Sequence, residues 1–118
     1  MSTMSYKRGD VILVLFPDSN LQTSKRRPAI IVQADNLKTG LAQVIVAMIT
    51  SNPTRLGRSS RVAVPLGSPR GKEMGIRTDS IIMTDNIVTL ALTEIDKRIG
   101  KCKDMTDVDA ALRHTLKL

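Results

Sequence analysis

Cysteine, histidine and aromatic side chains are nearly missing from this sequence: 118 residues hold one cysteine, one histidine, one tyrosine, one phenylalanine and no tryptophan. Each shortage removes a class of chemistry. Cys102 has no partner for an intramolecular disulfide, which suits a reducing, cytoplasmic compartment, and an ordinary small side chain is the expectation for it. His114 has no second imidazole to share acid and base work, and no histidine, cysteine and carboxylate cluster has metal-ligand spacing, so neither metal nor cofactor is expected. Tyr6 and Phe16 are too few to build a base-stacking platform, and Phe16, ending an apolar strand, is expected in the core. Long apolar runs are missing too. Val11–Phe16 and Val44–Ile49 have six residues each, far below the ~20 of a bilayer-spanning helix, so no membrane partner is expected. The stretch "GSPRGKE", Gly67 to Glu73, lacks the spacing of a phosphate-binding loop and ends in glutamate where a serine or threonine is needed; it reads as a plain loop.

Positive charge is in excess, and unevenly so. Lys and Arg total 18 against 11 Asp and Glu, for a net charge of +7. Between Lys25 and Arg77 lie ten basic and two acidic residues, a local net of +8, while the rest of the chain nets −1. Such segregation makes a field that draws polyanions, and the excess is mostly arginine, whose planar fork suits phosphate.

One domain is expected over residues 1–118, with 42% hydrophobic residues enough for a modest core. Strand-length segments rich in β-branched residues run Asp10 to Phe16, Pro28 to Gln33, Gln43 to Thr50 and Arg61 to Leu66, with shorter ones at Ser80 to Met83 and Ile87 to Leu90. Two of these, Pro28 to Gln33 and Gln43 to Thr50, are apolar at nearly every position, so both faces must be covered. The predicted fold is mainly β, an antiparallel curled sheet forming a small barrel or half-barrel. A closing helix is predicted from Thr106, paired with Asp109 as a cap, with Val108, Ala111, Leu112, Thr115 and Leu116 on its inner face. A helical turn is predicted from Thr93 to Arg98, and mobile loops over 51–60 and 66–76.

Arginine, lysine, hydroxyls and backbone N–H groups around a sheet are what remains for chemistry. RNA carries its own nucleophile, the 2′-hydroxyl. A protein can cleave it by aligning that group with phosphorus and stabilising the charge that grows on the phosphoryl oxygens, which needs no metal.

Four stretches, "KRGDVILVLFP" (Lys7 to Pro17), "SKRRPAIIVQ" (Ser24 to Gln33), "VIVAMITSN" (Val44 to Asn52) and "GIRTDSII" (Gly75 to Ile82), occur in this order and with these gaps. In them the chain resembles the MazF/PemK (Kid) family of toxin endoribonucleases over about residues 6 to 100. The resemblance implies an SH3-like barrel related to the CcdB toxin and a homodimer with an RNA groove across its interface. It also implies metal-independent, sequence-specific cleavage of single-stranded RNA to 2′,3′-cyclic phosphate and 5′-hydroxyl ends, restrained by a cognate MazE-like antitoxin with an acidic, flexible tail. The family's catalytic arginine falls on Arg27 and its catalytic hydroxyl on Thr50. The Kid branch adds an arginine and an aspartate two apart, matched by Arg77 and Asp79.

Physical reading of these residues puts Arg27 at the rim, because Pro28 behind it marks a strand start. An arginine is hard to deprotonate, so Arg27 suits charge stabilisation and donation to the leaving 5′-oxygen, and Asp79 suits accepting the 2′-proton. Lys25, Arg26, Ser51, Asn52, Arg55, Arg58 and Arg61 are expected to position RNA. The chain departs from the family in its first loop, Ser19 to Ser24, and at Val88, where members carry arginine. A non-catalytic basic SH3-like module, binding nucleic acid or poisoning a protein partner as CcdB does, stays open on the residues alone.

Overall fold

The computed structural model describes residues 5–17 and 24–118. Among them six strands form one antiparallel sheet: β1 (Asp10–Pro17), β2 (Ser24–Ile31), β3 (Gln43–Thr50), β4 (Arg61–Val64), β5 (Ser80–Ala91) and β6 (Ile95–Lys101), in the order β4-β5-β3-β2-β1-β6. Among the described residues β4 and β6 make no ladder with each other, so the sheet curls without closing. Two helices complete the unit, α1 (Pro69–Met74) beside β6 and α2 (Thr106–Leu116) on β4 and β5. No helix of the described residues is long and apolar enough to cross a membrane.

The doubly apolar strands are explained by two cores. Successive side chains of a strand point to opposite faces. On one face Val11, Ile30, Ala47, Ile49, Val64 and Ile82 pack with Met74 of α1 and with Val108 and Ala111 of α2. On the other, Ile12, Val14, Ala29, Ile31, Val46, Met48 and Leu90 form a second cluster. Cys102 is buried in the first core, as an ordinary small side chain would be.

Several boundaries differ from the sequence reading. β2 begins at Ser24, so its cations lie within a strand: β1 extends to Pro17, and its pairs Val14 with Arg27 and Phe16 with Lys25 carry the hairpin outward. Pro28 still has an effect, since it lacks an N–H and the β2–β3 ladder begins only at Ala29. Residues Thr93 to Arg98 are not a helical turn. Only Leu92–Glu94 form a 3-10 turn, and Ile95 onward is drawn into strand β6 by pairing with β1. The segment read as a loop at Gly67 to Glu73 contains α1, started by Ser68, whose Oγ accepts from the Gly71 N–H, and by Pro69 in the first turn. It stops at Gly75, whose φ of +73° only glycine adopts cheaply and whose place a Cβ would contest with the Ile99 carbonyl. Thr106 does not cap α2. Asp104 does so from just outside, its Oδ1 accepting from the Thr106 N–H (3.0 Å) and hydroxyl (2.6 Å), while Asp109 pairs with Arg8 at 2.7 Å. Leu116, expected inside, is 52% exposed at the helix end. The side chain of Phe16 and the first-loop residues 18–23 lie outside the described residues.

Candidate functional site

Register alone brings two of the sequence candidates together. Ala29 of β2 pairs with Met48 of β3, and both belong to the second core. Two residues outward along these antiparallel strands stand Arg27 and Thr50, which therefore share one face and oppose each other beyond the last ladder pair. They line a common recess of about 340 Å³ with Met48, Met83, Asn86 and Val88. Arg27 is exposed, and it is the one cation among the lining residues. Thr50 is half-buried, and its Oγ1 accepts the Asn52 N–H at 3.2 Å, which leaves the hydroxyl proton to be donated.

The wall opposite Arg27 is built by an irregularity. Ala47 pairs with Ile87 but Met48 pairs with Met83, so Thr84, Asp85 and Asn86 form a bulge in β5. Each takes a different partner. Thr84 is buried, its Oγ1 bonded to the Ser60 carbonyl (2.7 Å) and to the Thr115 hydroxyl (2.8 Å). Asp85 receives a two-pronged bond from Arg61, Nε to Oδ1 at 2.9 Å and Nη2 to Oδ2 at 2.7 Å, which holds its carboxyl below the ordinary carboxylate range. Asn86 lines the recess. The sequence reading saw two short strands around these residues and missed Asn86; the polar interruption between Met83 and Ile87 was the available signal.

The remaining candidates are dispersed. Asp79 lines a smaller, mostly apolar recess of about 200 Å³ with Ser51, Pro53, Leu56 and Ile81, and its Oδ1 accepts the Leu66 N–H at 2.8 Å. The two recesses are lined by the consecutive residues Ser51 and Thr50. Arg77 lies elsewhere, in a recess of about 430 Å³ with Leu13, Pro28, Lys97 and Arg98. Arg26 pairs with Asp96 at 2.9 Å. Lys25, Arg55 and Arg58 are exposed, as are Ser51 and Asn52. Arg61 is engaged by Asp85 and by the Arg55 carbonyl, to which its Nη1 donates at 2.7 Å. Val88, the departure from the expected arginine, falls inside the Arg27 recess.

Known proteins share both sequence and architecture with this chain. Endoribonuclease MazF6 of Mycobacterium tuberculosis is 36% identical over 107 residues, covering 88% of this chain and 90% of its own. In fold alone the chain is similar to an endoribonuclease in complex with its cognate antitoxin from Mycobacterial species, with a TM-score of 0.72 at 23% identity, covering 97% of each chain. It is likewise similar to MazE-MazF of Deinococcus radiodurans, with a TM-score of 0.73 at 13% identity over 98% of this chain and 99% of that one. Residues 7–116 match the family described as PemK-like, MazF-like toxin of type II toxin-antitoxin system, and to that family this chain belongs.

Proposed function

We propose that the chain is a metal-independent, sequence-specific endoribonuclease that cuts single-stranded RNA at the recess between Arg27 and Thr50. The observation carrying this reading is their opposition across the open end of the β2–β3 ladder, on one face and in one concavity. A phosphodiester seated there meets a guanidinium on one side and a hydroxyl donor on the other. Both bond better to the doubly charged pentacovalent transition state than to the singly charged ground state.

In the proposed reaction the 2′-oxygen bonds to phosphorus and the bond to the 5′-oxygen breaks, leaving a 2′,3′-cyclic phosphate and a 5′-hydroxyl. Asp79, from the recess it shares with Ser51, accepts the 2′-proton, and Arg27 donates a proton to the leaving 5′-oxygen and regains one from solvent. Arg77, Lys25, Arg55 and Arg58 supply positive charge along the flanking phosphates, while Arg26 is paired with Asp96. The acting unit is a homodimer, and a cognate antitoxin with an acidic, flexible segment neutralises it by covering the same cationic surface. Complexes with antitoxins among the structural neighbours support such a partner.

The test is incubation with mixed-sequence RNA in EDTA. Discrete cuts are expected, lost at any site given a 2′-deoxy sugar and reduced at least about 100-fold by Arg27→Ala. Thr50→Val is expected to act in the same direction. Binding without cleavage of any RNA by the wild type would overturn the nuclease reading in favour of a non-catalytic module.

A further inference from the structure

Arg61 lies outside the recess, in a separate hollow with Val62, Ala111 and His114, and its bonds lead back toward Thr50 and Asn86. Two of its nitrogens bind both oxygens of Asp85, and the third donates to the Arg55 carbonyl. Arg55 ends the 3-10 turn Pro53–Arg55, and its N–H donates to the Asn52 carbonyl at 3.1 Å. Asn52 closes the turn from its other end, its Oδ1 accepting from the Thr54 N–H (3.1 Å) and hydroxyl (2.9 Å). The Asn52 N–H is the donor that orients the Thr50 hydroxyl. On the other side of Arg61, Asp85 immediately precedes Asn86, which lines the recess. The Arg61 side chain is only 18% exposed.

We infer that Arg61 and Asp85 form a positioning clamp, which fixes the Thr50 hydroxyl through the Asn52–Arg55 turn and fixes Asn86 through the β5 bulge. This inference rests on the nuclease reading, and it removes Arg61 from the groups expected to hold RNA. The two roles make opposite predictions. A phosphate-binding Arg61 would be released by loss of its carboxylate and would grip RNA more tightly. A clamping Arg61 would lose its hold on the turn, and the chemical step would suffer while ground-state binding stayed put, since misplacement of about 1 Å can cost a hundredfold in rate.

The experiment measures steady-state cleavage, affinity for a 2′-deoxy-substituted oligonucleotide, and amide exchange at Asn52 and Arg55. It uses the wild type, Asp85→Asn and Arg61→Lys; lysine keeps the charge but not the fork. Both variants are expected to lower kcat about 10- to 100-fold, to leave KM and oligonucleotide affinity within about threefold, and to speed exchange at both amides. Should Asp85→Asn melt early, Arg61→Lys carries the comparison. Wild-type kcat in the variants, tighter RNA binding by Asp85→Asn, or unchanged amide exchange overturns the clamp while leaving the nuclease reading in place. A wild type that cuts no RNA overturns both.

Discussion

Arg27 has no second cation beside it among the residues lining its recess, because Val88 stands where the resemblance leads one to expect arginine. On the proposed reading, the full share of guanidinium stabilisation at the recess therefore falls on one side chain. Introducing the missing charge is then informative: Val88→Arg is expected to steepen the fall of log affinity with log salt by about 0.7 for single-stranded RNA. Titration of a labelled oligonucleotide at several salt concentrations measures this. An unchanged slope would mean that position 88 does not face the bound strand. Thr50 differs from Arg27 in that its role depends on direction as much as on charge. Its hydroxyl accepts from Asn52 and so is turned to donate.

Elements explain which parts of this arrangement could be read from sequence. Arg27 and Thr50 were singled out through the family resemblance, and strand pattern alone would not have chosen them; that they share a face follows from period-two alternation once β2 and β3 are paired. Asn86 was not legible, since a bulge cancels the alternation that locates side chains, and its presence depends on pairing with a strand some 40 residues away. The strand β6 was misread for a related reason: Thr93 and Asp96 imitate a helix start, yet the open edge of β1 recruits the segment. Helix α1 was hidden by its shortness, six residues set by Ser68, Pro69 and Gly75. It is tied to α2 by Arg70, which donates to Asp107 Oδ2 at 2.6 Å and to the Asp104 carbonyl at 2.7 Å. Hydrogen bonding to Arg70 holds the Asp107 carboxyl below its ordinary value of 3.8. Its folded value is thus lower than its unfolded one, and the stability it contributes is present above pH 3.8 and lost as pH falls through the folded value. Asp107→Asn is expected to lower the melting temperature at pH 6, with the gap from wild type narrowing as pH falls below 3.8. Thermal melts across that range check it; a gap independent of pH would assign the loss to packing.

The whole molecule carries a charge division that no single contact reveals. Residues 25 to 77 hold the surplus, and several of their arginines are neutralised locally: Arg26 by Asp96, Arg61 by Asp85 and Arg70 by Asp107. The exposed remainder, Arg27, Arg55, Arg58 and Arg77 with Lys25, Lys38 and Lys72, is expected to make RNA affinity fall steeply with salt, and a flat response would contradict an electrostatic footprint. A helix, an arginine and the recess meanwhile each draw on a different one of three consecutive residues in β5: Thr84 meets α2, Asp85 meets Arg61, and Asn86 meets the recess. Shortening that strand by one residue would spare most of its ladder and present every one of those three partners with the wrong side chain, so the number of residues there is as tightly constrained as their identity.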